Sequence, residues 1–279
     1  HRLDRLQKYS DFSFHKVNIE SLNELEPFFQ DATIDVVINL AARAGVRSSV
    51  QTPTLYLDTN VSGTVNILTC MERYEVSKLI LASTSSLYAG QETPFIETCN
   101  VNRPISPYAA TKLSAEALAY TWHHLYNIDV SVLRYFTVYG PAGRPDMAPF
   151  RFTEWIRRKQ PIVLYGDGSA TRDFTYIDDV ARANIAAIRK VGYEIFNIGG
   201  GNTPIPISAM VASIEEELKQ KASIQYKPVQ EADMRVTSAN IEKAGKLLSW
   251  SPKTIPSEGF KLMVEWHLKT ANLLSSIKL

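Results

Sequence analysis

Three strand-like runs separated by helical segments constrain the fold of this chain more than any other feature. The runs are 35–40 (DVVINL), 78–83 (KLILAS) and 129–133 (DVSVL). Such runs are typical of strands buried on both faces. Between them, 61–74 and 107–126 repeat apolar residues at helical spacing, and Ser106 followed by Pro107 favours a helix start. This alternation predicts an α/β fold built on a doubly wound parallel sheet.

After Gly140 the pattern changes to an irregular stretch rich in glycine and proline, followed by mixed elements. Helices are predicted over 150–159, 177–190, 207–220, 238–248 and 257–274, and strands over 162–165 and 194–198. We interpret 1–139 as one domain, to which 172–200 returns. Residues 140–279 then form mainly a smaller mixed α/β domain.

Composition disfavours several classes of function. The formal net charge is only +1, which predicts no nucleic-acid partner. No apolar run approaches the roughly 20 residues of a membrane helix, so no membrane association is predicted. Two cysteines are too few for a disulfide framework and fit a cytoplasmic location. The five histidines show no ligand spacing with the cysteines, and no metal site is predicted.

Tyr108 and Lys112 form a pair four residues apart on the predicted helix 107–126. Residues at this spacing lie on one face, so the ammonium can sit near the phenol. A nearby cation lowers the phenol pKa from its usual value near 10, which would make Tyr108 a usable general base. The alternative is an ordinary amphipathic helix face.

Four hydroxyl residues, 83–86 (STSS), follow the predicted strand at 78–83. In open α/β sheets, ligands bind beyond the carboxyl ends of the strands, so these hydroxyls are candidates for substrate contacts. A polar turn that caps a helix is the other interpretation. The residues alone leave both interpretations open.

Several separated motifs, in the right order, resemble the extended short-chain dehydrogenases/reductases, the NAD-dependent epimerases and dehydratases with a Rossmann sheet. The motifs are 39–42 (NLAA), 83–88 (STSSLY), 106–108 (SPY) with Lys112, 134–141 (RYFTVYGP) and 172–180 (RDFTYIDDV). The stretch 143–147 (GRPDM) is similar to the subgroup of UDP-glucuronate 4-epimerases. The resemblance spans nearly the whole chain.

This resemblance implies a catalytic trio and an NAD site. Thr84 would hydrogen-bond the reacting oxygen, Tyr108 would take and return the proton, and Lys112 would bind the nicotinamide ribose and lower the Tyr108 pKa. Further residues are implied to line the cofactor together with Tyr108 and Lys112: Leu40, Ala41, Ala42 and Tyr135. The first domain, 1–139, is then the NAD-binding domain, and 140–279 mainly binds the sugar nucleotide.

The resemblance also implies substrate contacts. Arg144 and Arg172 match positions at or near the diphosphate, which a guanidinium binds through forked hydrogen bonds. For each arginine the alternative is a surface ion pair. Asp233 would reach the nucleoside sugar, or is simply a loop acid.

Two serines discriminate among reactions within the resembled family. Dehydratases of that family carry Asp and Glu after the catalytic Ser/Thr, whereas this chain has Ser85 and Ser86, which cannot act as acids. With Thr137 they offer three neutral donors to a substrate carboxylate. We therefore expect epimerisation at C4 of UDP-glucuronate, giving UDP-galacturonate through a 4-keto sugar. The alternatives are a 4-epimerase of a neutral UDP-hexose and an inactive truncated homologue.

A glycine-rich dinucleotide-binding turn is expected near the start of such a fold, and none precedes Asp35. The stretch 14–19 (FHKVNI) resembles the third strand of the family. We therefore expect that the sequence lacks the first βαβ segment and that these 279 residues alone bind NAD poorly. A homodimer formed through 59–74 and 107–126 is implied by the family, although their apolar faces could also be purely internal.

Overall fold

The centre of the fold is a parallel sheet in a computed structural model that describes residues 2–201, 203–229 and 233–277. The strands are β1 (Val37–Asn39), β2 (Lys78–Thr84), β3 (Asp129–Tyr135), β4 (Thr137–Tyr139), β5 (Ile162–Tyr165), β6 (Thr171–Arg172), β7 (Phe174–Tyr176), β8 (Tyr193–Ile198), β9 (Ile205–Pro206) and β10 (Ile224–Lys227). Four of them form the central sheet in the order β1–β2–β3–β8, with every pairing parallel.

Helices cover both faces of this sheet, which confirms the predicted doubly wound α/β class. The helices are α1 (Arg2–Leu6), α2 (Leu22–Gln30), α3 (Val46–Gln51), α4 (Pro53–Leu57), α5 (Gly63–Arg73), α6 (Pro107–Tyr126), α7 (Ala148–Arg157), α8 (Ile177–Ala186), α9 (Ile207–Leu218), α10 (Glu242–Leu248), α11 (Pro256–Lys269) and α12 (Ala271–Leu274). Leu79 and Leu81 of β2 pack toward α2, α5 and α6, whereas Ile80 packs toward α8 and α10. The alternation follows from the two-residue period of a strand.

Burial differs between the strands. Every residue of β2 is buried, as its apolar sequence predicts. β1 lies at an edge, and Ile38 is 42% exposed, so the expectation of two buried faces is wrong for 35–40. Sequence hydrophobicity does not reveal position within a sheet, and within the described ranges β2 is the one strand paired with β1.

Helix α6 carries the predicted Tyr–Lys pair and has the predicted limits. Ser106 lies just before it, and its Oγ accepts a hydrogen bond from the Ala109 backbone N at 3.2 Å. Pro107 occupies the first turn, where its missing N–H costs nothing. Asn127 ends the helix in the left-handed conformation, with φ of 56°. Local signals therefore fix the position of this helix.

A second apolar cluster lies in the C-terminal part of the chain. Helices α7, α9 and α11 pack there around β5, β7 and the β5–β10 pair, with Met210, Phe260 and Met263 fully buried. Among the residues that the structure describes, no helix is long and apolar enough to cross a membrane.

Several predicted boundaries need correction. Residues 14–19 are irregular, because a segment becomes a strand only by pairing with a neighbour, and none of the described strands adjoins it. The helix predicted over 238–248 begins at Glu242, since the Ser238 carbonyl instead accepts a hydrogen bond from the Phe95 backbone N at 2.7 Å. The helix predicted over 61–74 begins at Gly63, after a π-helical turn at Asp58–Ser62.

Candidate active site

The carboxyl end of β2 faces the first two turns of α6. The Lys112 Nζ donates a hydrogen bond to the Ala82 carbonyl at 2.8 Å. Two residues further along the strand, the Thr84 hydroxyl hydrogen-bonds the Tyr108 phenol. Because Tyr108 and Lys112 are one turn apart, both side chains reach the same strand end. The structure thus brings together the three residues predicted as a catalytic trio.

The pKa of Tyr108 differs from the sequence-based expectation. Burial raises this pKa, while the hydrogen bond with Thr84 and the positive charge of Arg144 act to lower it. Burial also lowers the pKa of Lys112 to about 8, against the charge of Glu116. The predicted lowering of the Tyr108 pKa is therefore wrong, because burial outweighs the nearby positive charge. The Lys112 ammonium is itself desolvated and donates to the Ala82 carbonyl.

The two serines after Thr84 form a short 3-10 turn, Ser85–Tyr88. Thr84 Oγ1 accepts a hydrogen bond from the Ser86 backbone N and donates one to Ser86 Oγ, both at 3.1 Å. Thr84 therefore caps the turn, as the alternative interpretation held, and it also reaches Tyr108. The capping interpretation is therefore confirmed for Thr84, and contact of these hydroxyls with a substrate stays a prediction.

Thr137 and Tyr135 lie on adjoining segments of the next strand. Thr137 begins β4 and is half-buried, with its backbone N donating to the Asp173 carbonyl at 3.1 Å. Tyr135 ends β3, opposite Thr84 in the register, and its hydroxyl donates to Asn184 Oδ1 at 2.8 Å. Both residues therefore stand at the same end of the central sheet as Tyr108 and Lys112.

The loop after β1 presents the residues predicted to line a cofactor. Leu40 is 57% exposed, Ala41 is exposed and Ala42 is half-buried. Asn39 Oδ1 accepts a hydrogen bond from the Ala41 backbone N at 3.2 Å, which fixes the loop where it leaves the strand. An exposed apolar surface on a fixed backbone, at the carboxyl end of a parallel sheet, suits a dinucleotide, so these residues fit NAD.

Asn60 is a site residue that the sequence analysis missed. It is buried in the π-helical turn, and its side chain hydrogen-bonds both the Arg43 backbone N, at 2.8 Å, and the Thr111 hydroxyl, at 3.0 Å. Thr111 belongs to α6, and its hydroxyl in turn donates to the Tyr108 carbonyl at 2.9 Å. Asn60 therefore connects the predicted cofactor loop to the helix of the trio. The one available signal was a polar residue at the start of a predicted apolar helix face.

The residues predicted to bind diphosphate and nucleoside fall into two groups. Arg144 pairs with Asp146 at 2.5 Å and donates to the Ala44 carbonyl at 3.3 Å. Arg172 donates to the Thr171 carbonyl at 2.8 Å, and burial lowers its pKa while the charge of Asp233 acts upward. Asp233 is therefore near Arg172, whereas Arg144 lies on the side of the Tyr108 phenol, on which its charge acts.

Arg47 is the second residue that the sequence analysis missed. Its guanidinium pairs with Asp233 at 2.5 Å and lies over the Tyr165 ring, 4.0 Å from the centroid. Arg47 follows the predicted cofactor loop, whereas its two partners belong to the C-terminal part of the chain. The short run 44–47 (AGVR) after that loop was the available signal, but it did not indicate a contact across 186 residues.

The comparisons with known proteins agree with this geometry. Residues 1–199 match the model of the NAD dependent epimerase/dehydratase family. The chain belongs to this family, which confirms the resemblance stated from the motifs.

Individual relatives cover nearly the whole chain. The UDP-glucuronate 4-epimerase of Thermodesulfobacterium geofontis (strain OPF15) is 50% identical over 277 residues, which cover 99% of this chain and 86% of the relative. The structure of the Bacillus cereus UDP-glucuronic acid 4-epimerase, in complex with UDP-glucuronic acid and NAD, superimposes with a TM-score of 0.89 at 35% identity, covering 96% of this chain and 85% of that one. The UDP-glucose 4-epimerase of Thermotoga maritima, with UDP-glucose, gives a TM-score of 0.88 at 33% identity, covering 94% and 86%.

Proposed function

We propose that this chain interconverts UDP-glucuronate and UDP-galacturonate by NAD-dependent epimerisation at C4 of the sugar. The observation that carries the proposal is the set of neutral hydroxyls at Thr84, Ser85 and Ser86: Thr84 hydrogen-bonds Tyr108, and the turn that holds the two serines contacts α6. This set provides hydrogen-bond donors and no carboxylic acid, so it fits a substrate that brings its own carboxylate.

Tyr108 is the general base and acid of the proposed reaction. Its phenolate would take the proton of the C4 hydroxyl and later return it. Bound NAD would supply the hydride acceptor and donor for a reaction that passes through the 4-keto sugar. Burial, together with the nearby Tyr56, raises the Tyr108 pKa, so the base needs positive charge nearby. Arg144 supplies some, and the ammonium of Lys112 stands one turn along α6.

Cofactor and substrate occupy different sides of Tyr108 in this proposal. Leu40, Ala41, Ala42 and Tyr135 line NAD together with Tyr108, and Lys112 binds the nicotinamide ribose. The sugar carboxylate is bound by Ser85, Ser86 and Thr137, which follow the carboxyl ends of the paired strands β2 and β3 in the chain. The diphosphate is bound by Arg144 and Arg172, and the nucleoside by Asp233. Supporting this division, Arg172 and Asp233 share one neighbourhood in the structure.

The test is a direct comparison of two substrates. The chain is incubated with either UDP-glucuronate or UDP-glucose and with NAD in large excess, because weak NAD binding is expected of these 279 residues. The C4 epimers are then separated by chromatography. We expect faster turnover of UDP-glucuronate. Faster turnover of UDP-glucose would replace the proposal with a neutral-sugar epimerase, which the likeness to the Thermotoga maritima enzyme favours. An NAD titration of the same sample separates both from a homologue that cannot bind the cofactor.

We further propose that the protein is a cytoplasmic homodimer. The interface would be formed by 59–74 and 107–126, as the family resemblance implies, and the main helices of these segments, α5 and α6, pack against each other. On α6 the apolar side chains of Tyr120, Leu125 and Tyr126 are exposed, which supports association of two copies. Both cysteines are free, which suits a reducing compartment. Light scattering tests the dimer, and Leu125→Glu is expected to give a monomer.

A further inference from the structure

A buried ion pair between α6 and β3 lies close behind the proposed catalytic groups. The Arg134 Nε donates to Glu116 Oε1 at 3.0 Å, and Nη2 donates to Oε2 at 2.7 Å. The two side chains are only 2% and 4% exposed. Neither side chain is assigned a role in the proposed function. Because a buried bidentate pair is costly to desolvate, its presence next to the proposed catalytic groups is consistent with a functional role.

Glu116 extends the spacing of the proposed trio. It follows Lys112 by four residues, as Lys112 follows Tyr108, so the three side chains form one stripe along α6. The Ser83 hydroxyl donates to Glu116 Oε1 at 2.5 Å. Ala82, Ser83 and Thr84 therefore contact Lys112, Glu116 and Tyr108 respectively. Three consecutive residues at the end of β2 are each bound to one member of the stripe.

The position of Arg134 is itself fixed by a chain of buried hydrogen bonds. Its Nη1 donates to the Tyr88 hydroxyl at 2.9 Å, and that hydroxyl donates to Asn197 Oδ1 at 2.7 Å. Asn197 Nδ2 donates to the Phe95 carbonyl at 2.9 Å. Burial raises the pKa of Tyr88 to about 12, so its hydroxyl stays protonated. The carboxylate of Glu116 is thus held in one orientation by β2, β3 and, through Tyr88, β8.

The charged and titratable groups around Lys112 lie on α6 and β3, and neutral polar groups lie on β2. α6 contributes Tyr108 and Glu116, and β3 contributes Arg134, which is bound to Glu116. β2 faces Lys112 with the Ala82 carbonyl and the neighbouring hydroxyls. The charge of Glu116 favours the ammonium form of Lys112, in opposition to burial. Glu116 therefore stands where a carboxylate can offset the desolvation of this ammonium.

We propose that Glu116, held by Arg134, is a positioning residue that keeps the Lys112 ammonium charged and in register with Tyr108. The inference rests on the proposed function, since it assigns Glu116 a part in the same reaction. Glu116 touches no reacting atom and acts through Lys112.

The test is a direct titration of Lys112 in the intact chain. The protein is labelled with 13Cε-lysine, the Lys112 signal is assigned with Lys112→Arg, and its chemical shift is followed with pH by NMR. In the unmodified protein we expect an inflection near pH 8, because burial lowers the pKa of Lys112 to about 8. Glu116→Gln keeps the shape and removes the charge, so it should lower the inflection by about one pH unit. Glu116→Asp keeps the charge and should leave the inflection nearly unchanged.

The matched control is Asp129→Asn, which breaks a second buried ion pair, with Lys78, at the opposite end of β2 and β3. It should leave the Lys112 titration unchanged. A folded Glu116→Gln protein whose Lys112 titrates as in the unmodified chain would overturn the inference. If Glu116→Gln alone does not fold, Glu116→Gln combined with Arg134→Met removes both charges of the pair. The opposing Arg134 charge is then also gone, so the inflection should fall by less than in Glu116→Gln but still lie below that of the unmodified chain. Because no turnover is needed, failure of the proposed epimerase activity is recognised separately, in the substrate assay.

Discussion

Each end of the central sheet contains a buried ion pair, but the two ends differ in how many of their polar groups have hydrogen-bond partners within the fold. At the amino end, the Lys78 ammonium donates to the Asp129 carboxylate, to the Ser131 hydroxyl at 2.9 Å and to the Arg189 carbonyl at 2.9 Å. Asp129 Oδ2 accepts from the backbone N of Val191 at 2.7 Å and of Gly192 at 2.6 Å. All three ammonium protons thus have acceptors within the fold.

At the carboxyl end, fewer of the polar groups have hydrogen-bond partners within the described residues. Among the described residues, Lys112 Nζ donates to one acceptor, the Ala82 carbonyl, and the Tyr108 phenol is only half-buried. The Glu116–Arg134 pair is as buried as the pair at the amino end and lies one turn behind. Polar groups that are saturated serve the fold, whereas those with spare donors face the place where a ligand can bind. This difference supports the proposal that the carboxyl end is the reactive one.

The largest expected effect is that of Tyr108→Phe. Removing the hydroxyl removes proton transfer, which typically contributes 10²-fold or more, so turnover of UDP-glucuronate should fall by at least about that factor. The unfolding free energy should change little, because the ring remains in place. Turnover is measured by chromatography of the C4 epimers, and stability by urea denaturation. Near-normal turnover would show that the carboxyl end of the sheet is not reactive in the way proposed.

Thr137→Val tests whether the spare hydroxyls at this end serve a substrate carboxylate. Loss of one hydrogen bond to a charged group costs about 1.5 kcal/mol or more, so KM for UDP-glucuronate should rise by roughly tenfold. Turnover of UDP-glucose, which has no carboxylate, should be unaffected. Thr175→Val is a matched control, because Thr175 is a buried threonine of the neighbouring strand β7. Equal losses on both sugars would remove Thr137 from carboxylate binding.

Turnover should depend on pH through Lys112, whose pKa is lower than that of a lysine on the protein surface. Burial places the Lys112 pKa at about 8, and the charged form is the active one. We therefore expect kcat/KM to fall as pH rises above this value, approaching tenfold per pH unit. Lys112→Arg, which cannot lose its proton, should be slower but lack this alkaline fall. Persistence of the fall in Lys112→Arg would assign it to another group.

Much of the carboxyl-end site could be predicted from the sequence, because its main residues lie on one helix whose limits are set by neighbouring residues. Helix α6 was placed to the residue by Ser106, Pro107 and the helical spacing, and that spacing alone put Tyr108 and Lys112 on one face. Extending the same spacing by one turn would have found Glu116. Its partner Arg134, by contrast, lies 18 residues further along the chain, on strand β3, so this contact depends on tertiary structure.

What the sequence could not provide is set by packing. The exposed edge of β1 and the irregular course of 14–19 depend on which strands become neighbours. The pKa of Tyr108 depends on burial, which no spacing rule contains, and the expected direction was wrong for that reason. The pairing of Arg47 with Asp233 joins residues 186 positions apart. In each case the missing information is three-dimensional.

The smallest effect on turnover is expected at the amino end of the sheet. Asp129→Asn leaves the buried Lys78 ammonium without its counter-charge, and removing one partner of a buried pair typically costs about 3 kcal/mol or more of unfolding free energy. Turnover at 25 °C should nevertheless stay within about twofold, because polar groups saturated within the fold have none to give a ligand. Urea denaturation and the substrate assay measure the two quantities on one sample. Asp129→Asn combined with Lys78→Met removes both charges and should recover part of the stability. If Asp129→Asn is fully folded under the assay conditions and still loses turnover, the two ends of the sheet are coupled. The division between a structural end and a reactive end would then be wrong.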